Sequence, residues 1–388
     1  MGLSRRFLNL IVDNRIPGIK SLCSMDLEHL FSSPTRHPQT PDTAIQTPAA
    51  DSGNMKNEAA AASSSESIQI SAPTLTFRAL SDQWKVDCFP LAESTVMCAD
   101  QLGRTLCVDA ELRLGGTMPS LHKPKRMPIS ILVSKPDLDR RYDHHASGTS
   151  LFIMERIPEL EVGCNEKYSY QFEAFVCRKP TLTSYSKTWQ CELLPPPPFV
   201  RDPKYLHSRP EISSYAVVDG GSQICISVDD VGTYCLDTED HTWSQVGEWM
   251  LPFRGKVEYV PELKLWLGLS AKDRHLAAAD LSSISTMNSQ PQLIDLGKEL
   301  YPPEEWKECK DSQIVNLGSG MFCITRFFSM TFNGNFGDES IDQEFTVFTG
   351  VEVVLDADSS GNGKVELHMI PHKSRRHMSN DTTINTVF

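Results

Sequence analysis

Two segments far apart in the chain share one order of residue types. GRTLCVDAELRLGGTMPSL, from Gly103, and GTYCLDTEDHTWSQVGEWMLPFR, from Gly232, each run from a glycine through an alternating stretch to Cys-apolar-Asp. Each then passes a polar turn and leaves through a methionine with a proline just beyond. A third copy is partial: Phe172 to Val176 (FEAFV) supplies the strand, and SKTWQCELLPPPPF follows DHTWSQVGEWMLPF, with Trp189 answering Trp243 and Pro195 answering Pro252. A fourth is fainter, with LAAADL (Leu276 to Leu281) as strand and aspartate and ELYPPEEW as the proline exit.

A sheet-forming unit of roughly 40–50 residues, repeated with insertions, is what a propeller blade requires. One four-stranded blade cannot bury both of its faces, whereas blades stacked in a closed ring bury them against each other. The expected fold is therefore all-β: one β-propeller of four-stranded blades over residues 68–372, six in number, with five or seven as the alternatives. Gly220, Gly221, Tyr234, Asp237, Trp243 and Pro252, with Asp109 and Trp189 in the other copies, are its structural blade residues.

The remaining texture agrees with strands. Leu263 to Ser270 (LKLWLGLS) carries leucine at every second position, as one sheet face requires, and Ile224, Ile226 and Val228 alternate likewise. Glu344 to Leu355 and Lys364 to Ile370 read as a hairpin joined by DADSSGNG. Glu304 to Cys309 is the best short helical candidate. Phe7 to Asn14 (FLNLIVDN) reads as a strand that closes the ring by completing the last blade, and Lys20 to Phe31 as a second strand or helical turn. Between residues 32 and 67 there is no aromatic residue and AAAASSSES fills the end, so a disordered linker is expected there, with a flexible tail over 373–388.

VVDGG (Val217 to Gly221), followed by TYCLD, Trp243 and MLPFR, resembles a kelch repeat: an apolar strand into Gly-Gly, an aromatic-rich strand ending in Asp, then Trp and a Met-Pro-Arg exit. RRFLNLIVDN, IPGIKSL, MERIPEL, QFEAF and GKVEYVPELKLWLGLS are similar to a family of uncharacterised grass proteins catalogued as a domain of unknown function. That resemblance implies no activity. The first 70 residues lack the long amphipathic helices of the F-box that accompanies many plant kelch proteins, so no adaptor role is carried over.

The balance of the composition bears on partners. A net charge of -13 and a pI near 5.3 oppose a phosphate-binding role, because nucleic-acid affinity rests on Lys and Arg releasing counterions. No apolar run approaches the roughly 18 residues that span a bilayer. Eleven cysteines scattered singly, without C-x-x-C pairs, suit a reduced cytoplasmic or nuclear compartment. Arg5 and Arg6, with no acid before Asp13, keep a mitochondrial or plastid transit peptide as the alternative.

Four clusters invite sharper readings, each with a plainer one. Trp243 and Trp249 are candidates for an aromatic cage, but one large aromatic per blade is more simply inter-blade packing. Asp356 onward begins like an EF-hand loop, yet Leu367 stands where the bidentate Glu belongs. His144 and His145 in RRYDHHASG lack a third metal ligand. HKPKRMP (His122 to Pro128) and HKSRRH (His372 to His377) read as import signals or acidic-partner contacts, or simply as solvated runs, and the four prolines from Pro195 as a rigid inter-blade connection. G-x-S-x-G, G-x-G-x-x-G, Walker and H-E-x-x-H patterns do not occur. The expectation is a non-enzymatic protein-interaction module, without cofactor or metal, presenting loops such as 134–150 and 329–343 on one propeller face. A propeller enzyme or small-ligand binder using the central channel is the alternative. Converging carboxylates or histidines in the channel would favour it.

Overall fold

A computed structural model describes residues 5–31, 66–79, 85–134, 149–161, 167–178, 188–333, 340–357 and 365–388. Residues 32–65 of the expected linker, the Tyr142–His145 cluster and the loop at 358–364 therefore lie outside the described residues, while the linker's last two residues, Glu66 and Ser67, form a short strand instead.

The strands follow in chain order. β1 (Phe7–Asn14), β2 (Ile19–Asp26), the two-residue β3 (Glu66–Ser67) and β4 (Leu75–Arg78) come first. Blade 2 is β5 (Val86–Pro90), β6 (Thr95–Asp100), β7 (Thr105–Asp109) and β8 (Leu114–Met118). Blade 3 is β9 (Pro128–Ser134), β10 (Thr149–Glu155), β11 (Ser169–Arg178) and β12 (Thr188–Leu194). β13 (Ile212–Val218), β14 (Gln223–Val228), β15 (Gly232–Asp237) and β16 (Trp243–Gly247) form blade 4. β17 (Phe253–Val260), β18 (Leu265–Ser270), β19 (Leu276–Ala279) and β20 (Ile294–Asp295) form blade 5. Blade 6 holds β21 (Lys307–Asn316), β22 (Met321–Asn333), β23 (Ser340–Ala357) and β24 (Val365–Met378), with β3 at its edge. The last strand, β25 (Thr382–Val387), returns to join β1, β2 and β4 as blade 1.

Blades 4 and 5 meet through a parallel pairing of their first strands, Tyr215 opposite Lys256, which places those strands innermost. Blade 1 alone is built from both ends of the chain, with β25 on one side of β1 and β2 on the other. Three N-terminal strands thus receive one C-terminal strand, where a single N-terminal strand joining the last blade was expected. The flexible tail expected beyond residue 372 is instead the end of β24 and the whole of β25, because Ile384 and Val387 are buried in the ring.

The core is divided among the seams between blades. Ile11 and Leu22 meet Val96 and Cys98 between blades 1 and 2, and Phe89 and Met97 meet Leu151 and Phe175 between blades 2 and 3. Phe152 and Phe172 pack with Leu236 between blades 3 and 4, and Val218 and Cys235 with Phe253 and Trp266 between blades 4 and 5. Leu267 and Leu269 meet Phe322 and Val351 between blades 5 and 6. Leu8, Leu10 and Met25 meet Cys323 and Phe348 between blades 6 and 1, which closes the ring. The protein is a six-bladed β-propeller.

This packing explains a departure from simple alternation. In β18 the leucines Leu267 and Leu269 are buried, and so are the alternate residues Trp266, Gly268 and Ser270, because a blade has a neighbour on both faces. The four repeated segments fall on the third strands of blades 2, 3, 4 and 5: β7, β11, β15 and β19. Glu304 to Cys309 is not helical; β21 begins at Lys307, drawn into pairing with β22. Nor are all cysteines isolated. Cys225 and Cys235 stand directly opposite on β14 and β15 and are joined by a disulfide, a pairing that ten residues of hairpin hide from a C-x-x-C search.

Candidate functional site

The residues that mark the repeats hold the blades. Gly220 and Gly221 form the turn from β13 to β14 at φ of 63° and 95°, the left-handed region that glycine enters without strain. Asp237 closes β15 by accepting the N–H groups of Glu239 and Asp240 at 2.8 and 3.1 Å, an Asx turn. Asp109 does the same for Glu111 and Leu112, both at 2.9 Å. Trp243 Nε1 donates to the Pro195 carbonyl at 2.9 Å while its ring meets Phe172 edge-on. Tyr234 packs on Phe199 in the same seam, and Trp189 lies in the seam between blades 2 and 3. Pro252 leads from Leu251 into Phe253, both buried, and its carbonyl accepts the Ala271 N–H at 2.9 Å. Spread over several seams, these side chains form no common site.

Chemistry gathers where the inner strands begin. Arg156 follows β10, Glu211 precedes β13, Asp229 follows β14, Arg254 opens β17, Arg274 follows β18 and Asp311 lies in β21. Asp311 receives Arg156 at 2.6 Å, Arg254 at 3.2 Å and Arg274 at 3.5 Å. Glu211 receives Arg254 at 2.8 Å and Arg156 at 3.3 Å, and Asp229 lies 3.4 Å from Arg254. This ionic belt ties blades 3, 4, 5 and 6 together at one mouth of the channel.

Its charges compensate one for one. Burial would raise the Asp311 carboxyl, but Arg254 and Arg156 outweigh it and hold it below the ordinary carboxylate value. Burial would lower Arg156, and Tyr215, Asp311 and Glu211 outweigh that and push it up. Both shifts move away from neutrality, so this carboxylate and guanidinium exchange no proton near pH 7. Further along the axis Lys256 Nζ binds Glu258 at 2.6 Å, and Glu258 also accepts the Asn316 N–H at 3.1 Å. Gln313 on β21 bridges to β25, donating to Asn385 O at 3.0 Å and accepting from Val387 N–H at 2.9 Å.

A second cluster sits at the seam of blades 2 and 3. Glu173 on β11 is fully buried, and its Oε2 accepts the backbone N–H of His122 at 2.8 Å and lies 2.7 Å from His122 Nδ1. The Cys191 thiol on β12 donates to the same oxygen at 3.2 Å, and Lys125 Nζ binds Oε1. The basic run His122 to Pro128 is therefore solvated only in part: Lys125 is buried and, with His122, bound to Glu173, while Lys123 and Arg126 stay exposed. Burial would raise Glu173; Lys125 and the His122 donors outweigh it and keep the carboxyl low. Burial, with Glu173 beside it, pushes the Cys191 thiol up. Sequence reading missed this cluster because its members lie 51 and 18 residues from one another. The one visible signal was a lysine-rich run placed between two blades.

Among the described residues no helix is long and apolar enough to cross a membrane. No curated protein matches the chain. Among solved structures, Citrobacter koseri AztD is similar at 9% identity and a TM-score of 0.32, over 98% of each chain. The Myceliophteria thermophila Cps50 (Swd1) beta-propeller domain is similar at 12% identity and a TM-score of 0.27, over 49% of this chain and 52% of that one. TolB from Acinetobacter baumannii is similar at 10% identity and a TM-score of 0.23, over 76% of this chain and 82% of that one. The model of the family "Protein of unknown function (DUF1668)" matches residues 5–377, nearly the whole propeller from β1 to β24, and the chain belongs to that family.

Proposed function

We propose that this protein is a non-enzymatic interaction module and that blade 6 supplies its contact surface. The supporting observation is strand length. β22, β23 and β24 run 13, 18 and 14 residues, whereas strands such as β14 and β18 run 6. At about 3.3 Å per residue, β23 reaches roughly 60 Å against about 20 Å for those shorter strands. β23 outlasts its partners at both ends: Ser340 to Glu344 pair with β22 alone and Val353 to Ala357 with β24 alone. Leu355 is exposed on the second extension, and Ile370, opposite Glu352 just short of it, is exposed as well. β3 pairs with β24 only at Arg375 and Arg376, and the Leu30 carbonyl accepts the Lys373 N–H at 3.0 Å, so among the described residues it is the β24 edge before His372 that is left to an added strand.

The kelch-like order of the repeats agrees with this reading, since a self-compensated channel mouth leaves the rim and its extensions to make contacts. The test replaces Leu355 to Leu367 with an Asn-Gly turn and compares cross-linked partners of shortened and full chains in the cells that make the protein. The shortened chain should melt within a few degrees of the full one and lose its cross-links. Unchanged cross-links, or cross-links mapping to the channel mouth, would sink the proposal. A small-ligand site on the axis is the second reading, favoured by Tyr215 and the half-exposed Lys256 side by side on inner strands. A ligand-induced thermal shift abolished by Lys256→Met would support that reading instead.

A further inference from the structure

We propose that His122, Glu173 and Cys191 form a binding site for one zinc-class divalent cation at the seam of blades 2 and 3. His122 Nδ1, Glu173 Oε2 and Cys191 Sγ come from three segments and all lie within 4.8 Å of one another. The pairwise separations are 2.7 Å (N to O), 3.2 Å (S to O) and 3.8 Å (S to N). Metal–ligand bonds of about 2.0–2.3 Å in tetrahedral geometry set such donors about 3.3–3.6 Å apart, so the two pairs that include sulfur need to change by only a few tenths of an ångström, while the nitrogen–oxygen pair must open by about 0.6 Å. One nitrogen, one carboxylate oxygen and one thiolate make a donor set of the borderline softness that zinc takes.

The second shell is in place. The other Glu173 oxygen is bound by Lys125 Nζ, which in turn donates to the Lys123 carbonyl at 2.7 Å, so the carboxylate is oriented toward the other two donors. Lys125 also adds a positive charge that a dication must tolerate. The site answers it with two anions, the Glu173 carboxylate and the Cys191 thiolate. Binding balances as follows: the cation forms bonds to Sγ, Nδ1 and Oε2, Cys191 gives up its S–H proton to solvent, and the proton on His122 Nδ1 is exchanged for one on Nε2. Three protein donors leave a fourth tetrahedral position for a water, which the 39% exposure of the His122 side chain gives a route to the site. The site is open, like those with three protein ligands.

The experiment titrates Co²⁺, then Zn²⁺, into full-length protein stripped with chelator under reducing conditions. The expected result is one equivalent of Co²⁺ producing a thiolate-to-metal charge-transfer band and a tetrahedral visible band, both erased by Zn²⁺. Cys191→Ser should abolish the charge-transfer band, and His122→Gln should weaken Co²⁺ binding at least tenfold. Because His122 is partly exposed, His122→Gln is the variant chosen to keep the fold, checked by an unchanged melting curve. Zn²⁺ should also protect Cys191 from alkylation, read by peptide mass spectrometry. Absence of the charge-transfer band in the parent, its persistence in Cys191→Ser, or unchanged Co²⁺ affinity in a folded His122→Gln variant would each overturn the assignment.

Discussion

Leu10 on the first long strand lies opposite Val387, the next-to-last residue of the chain. The two backbones pair again beyond the strand ends, where Asn9 and Phe388 exchange N–H···O bonds of 3.0 Å in both directions. The ring is thus closed by non-covalent pairing, and both of its flanking seams draw residues from the two ends of the chain.

Removing residues 1–31 should abolish independent folding. The segment buries Leu8, Leu10, Ile11, Leu27 and Leu30 to 0% exposure. At about 1.5–3 kcal/mol for each buried aliphatic side chain, the loss is comparable to the 5–15 kcal/mol of net stability a domain carries. Circular dichroism melting of the truncated chain checks this, and an unchanged melting temperature would refute it.

Asp311→Asn should destabilise the fold by about 2 kcal/mol at neutral pH, between the cost of breaking an exposed pair and a buried one. The Asp311 pKa is lowered in the fold, so its contribution is present above the unfolded carboxylate pKa of about 3.9 and disappears as pH falls through the lower folded value. The gap between parent and variant should therefore be constant from pH 7 to about 5 and close below about pH 4. Melting temperatures across that range measure it; a gap that widens in acid contradicts the assignment.

Two glycines should respond very differently to alanine. Gly232 has φ of 134°, and an added Cβ there would run into the Gly247 carbonyl across the β15–β16 pair. Gly232→Ala is expected to cost at least about 2 kcal/mol. Gly116, on the exposed outer strand β8, has nothing within 4 Å of the new Cβ, and Gly116→Ala should stay within about 0.5 kcal/mol of the parent. Urea denaturation of both decides the matter, and equal effects would show that Gly232 is not conformationally required.

Trp243→Phe keeps an aromatic ring in the seam and gives up the bond to Pro195, a loss of about 1 kcal/mol. Trp243→Ala also empties the space beside Phe172 and should cost about 3 kcal/mol. If the alanine variant proved no worse than the phenylalanine one, Trp243 would not be filling the seam between blades 3 and 4.

The blade unit was legible in the linear order because its determinants are local. An aspartate reaches the N–H groups two and three residues on, as Asp237 does, and a glycine doublet such as Gly220 and Gly221 supplies its own left-handed turn. These interactions are written within a few residues, so four third strands could be recognised before any fold was known. The strand lengths of blade 6 and the burial of Lys125 were less legible, since pairing partners and not intrinsic preference set both.

Sequence by itself determined the all-β repeat, the turn chemistry and the acidic balance, which depend on spacing, residue type and composition. Tertiary structure alone decided which ends meet and which charges converge. Leu10 finds Val387 and Arg156 finds Asp311, 155 positions away, only when the stacking of six blades brings distant residues to one seam or one channel mouth. His122, Glu173 and Cys191 converge for the same reason: the seam between two blades, and not the spacing of the residues, holds their donor atoms together.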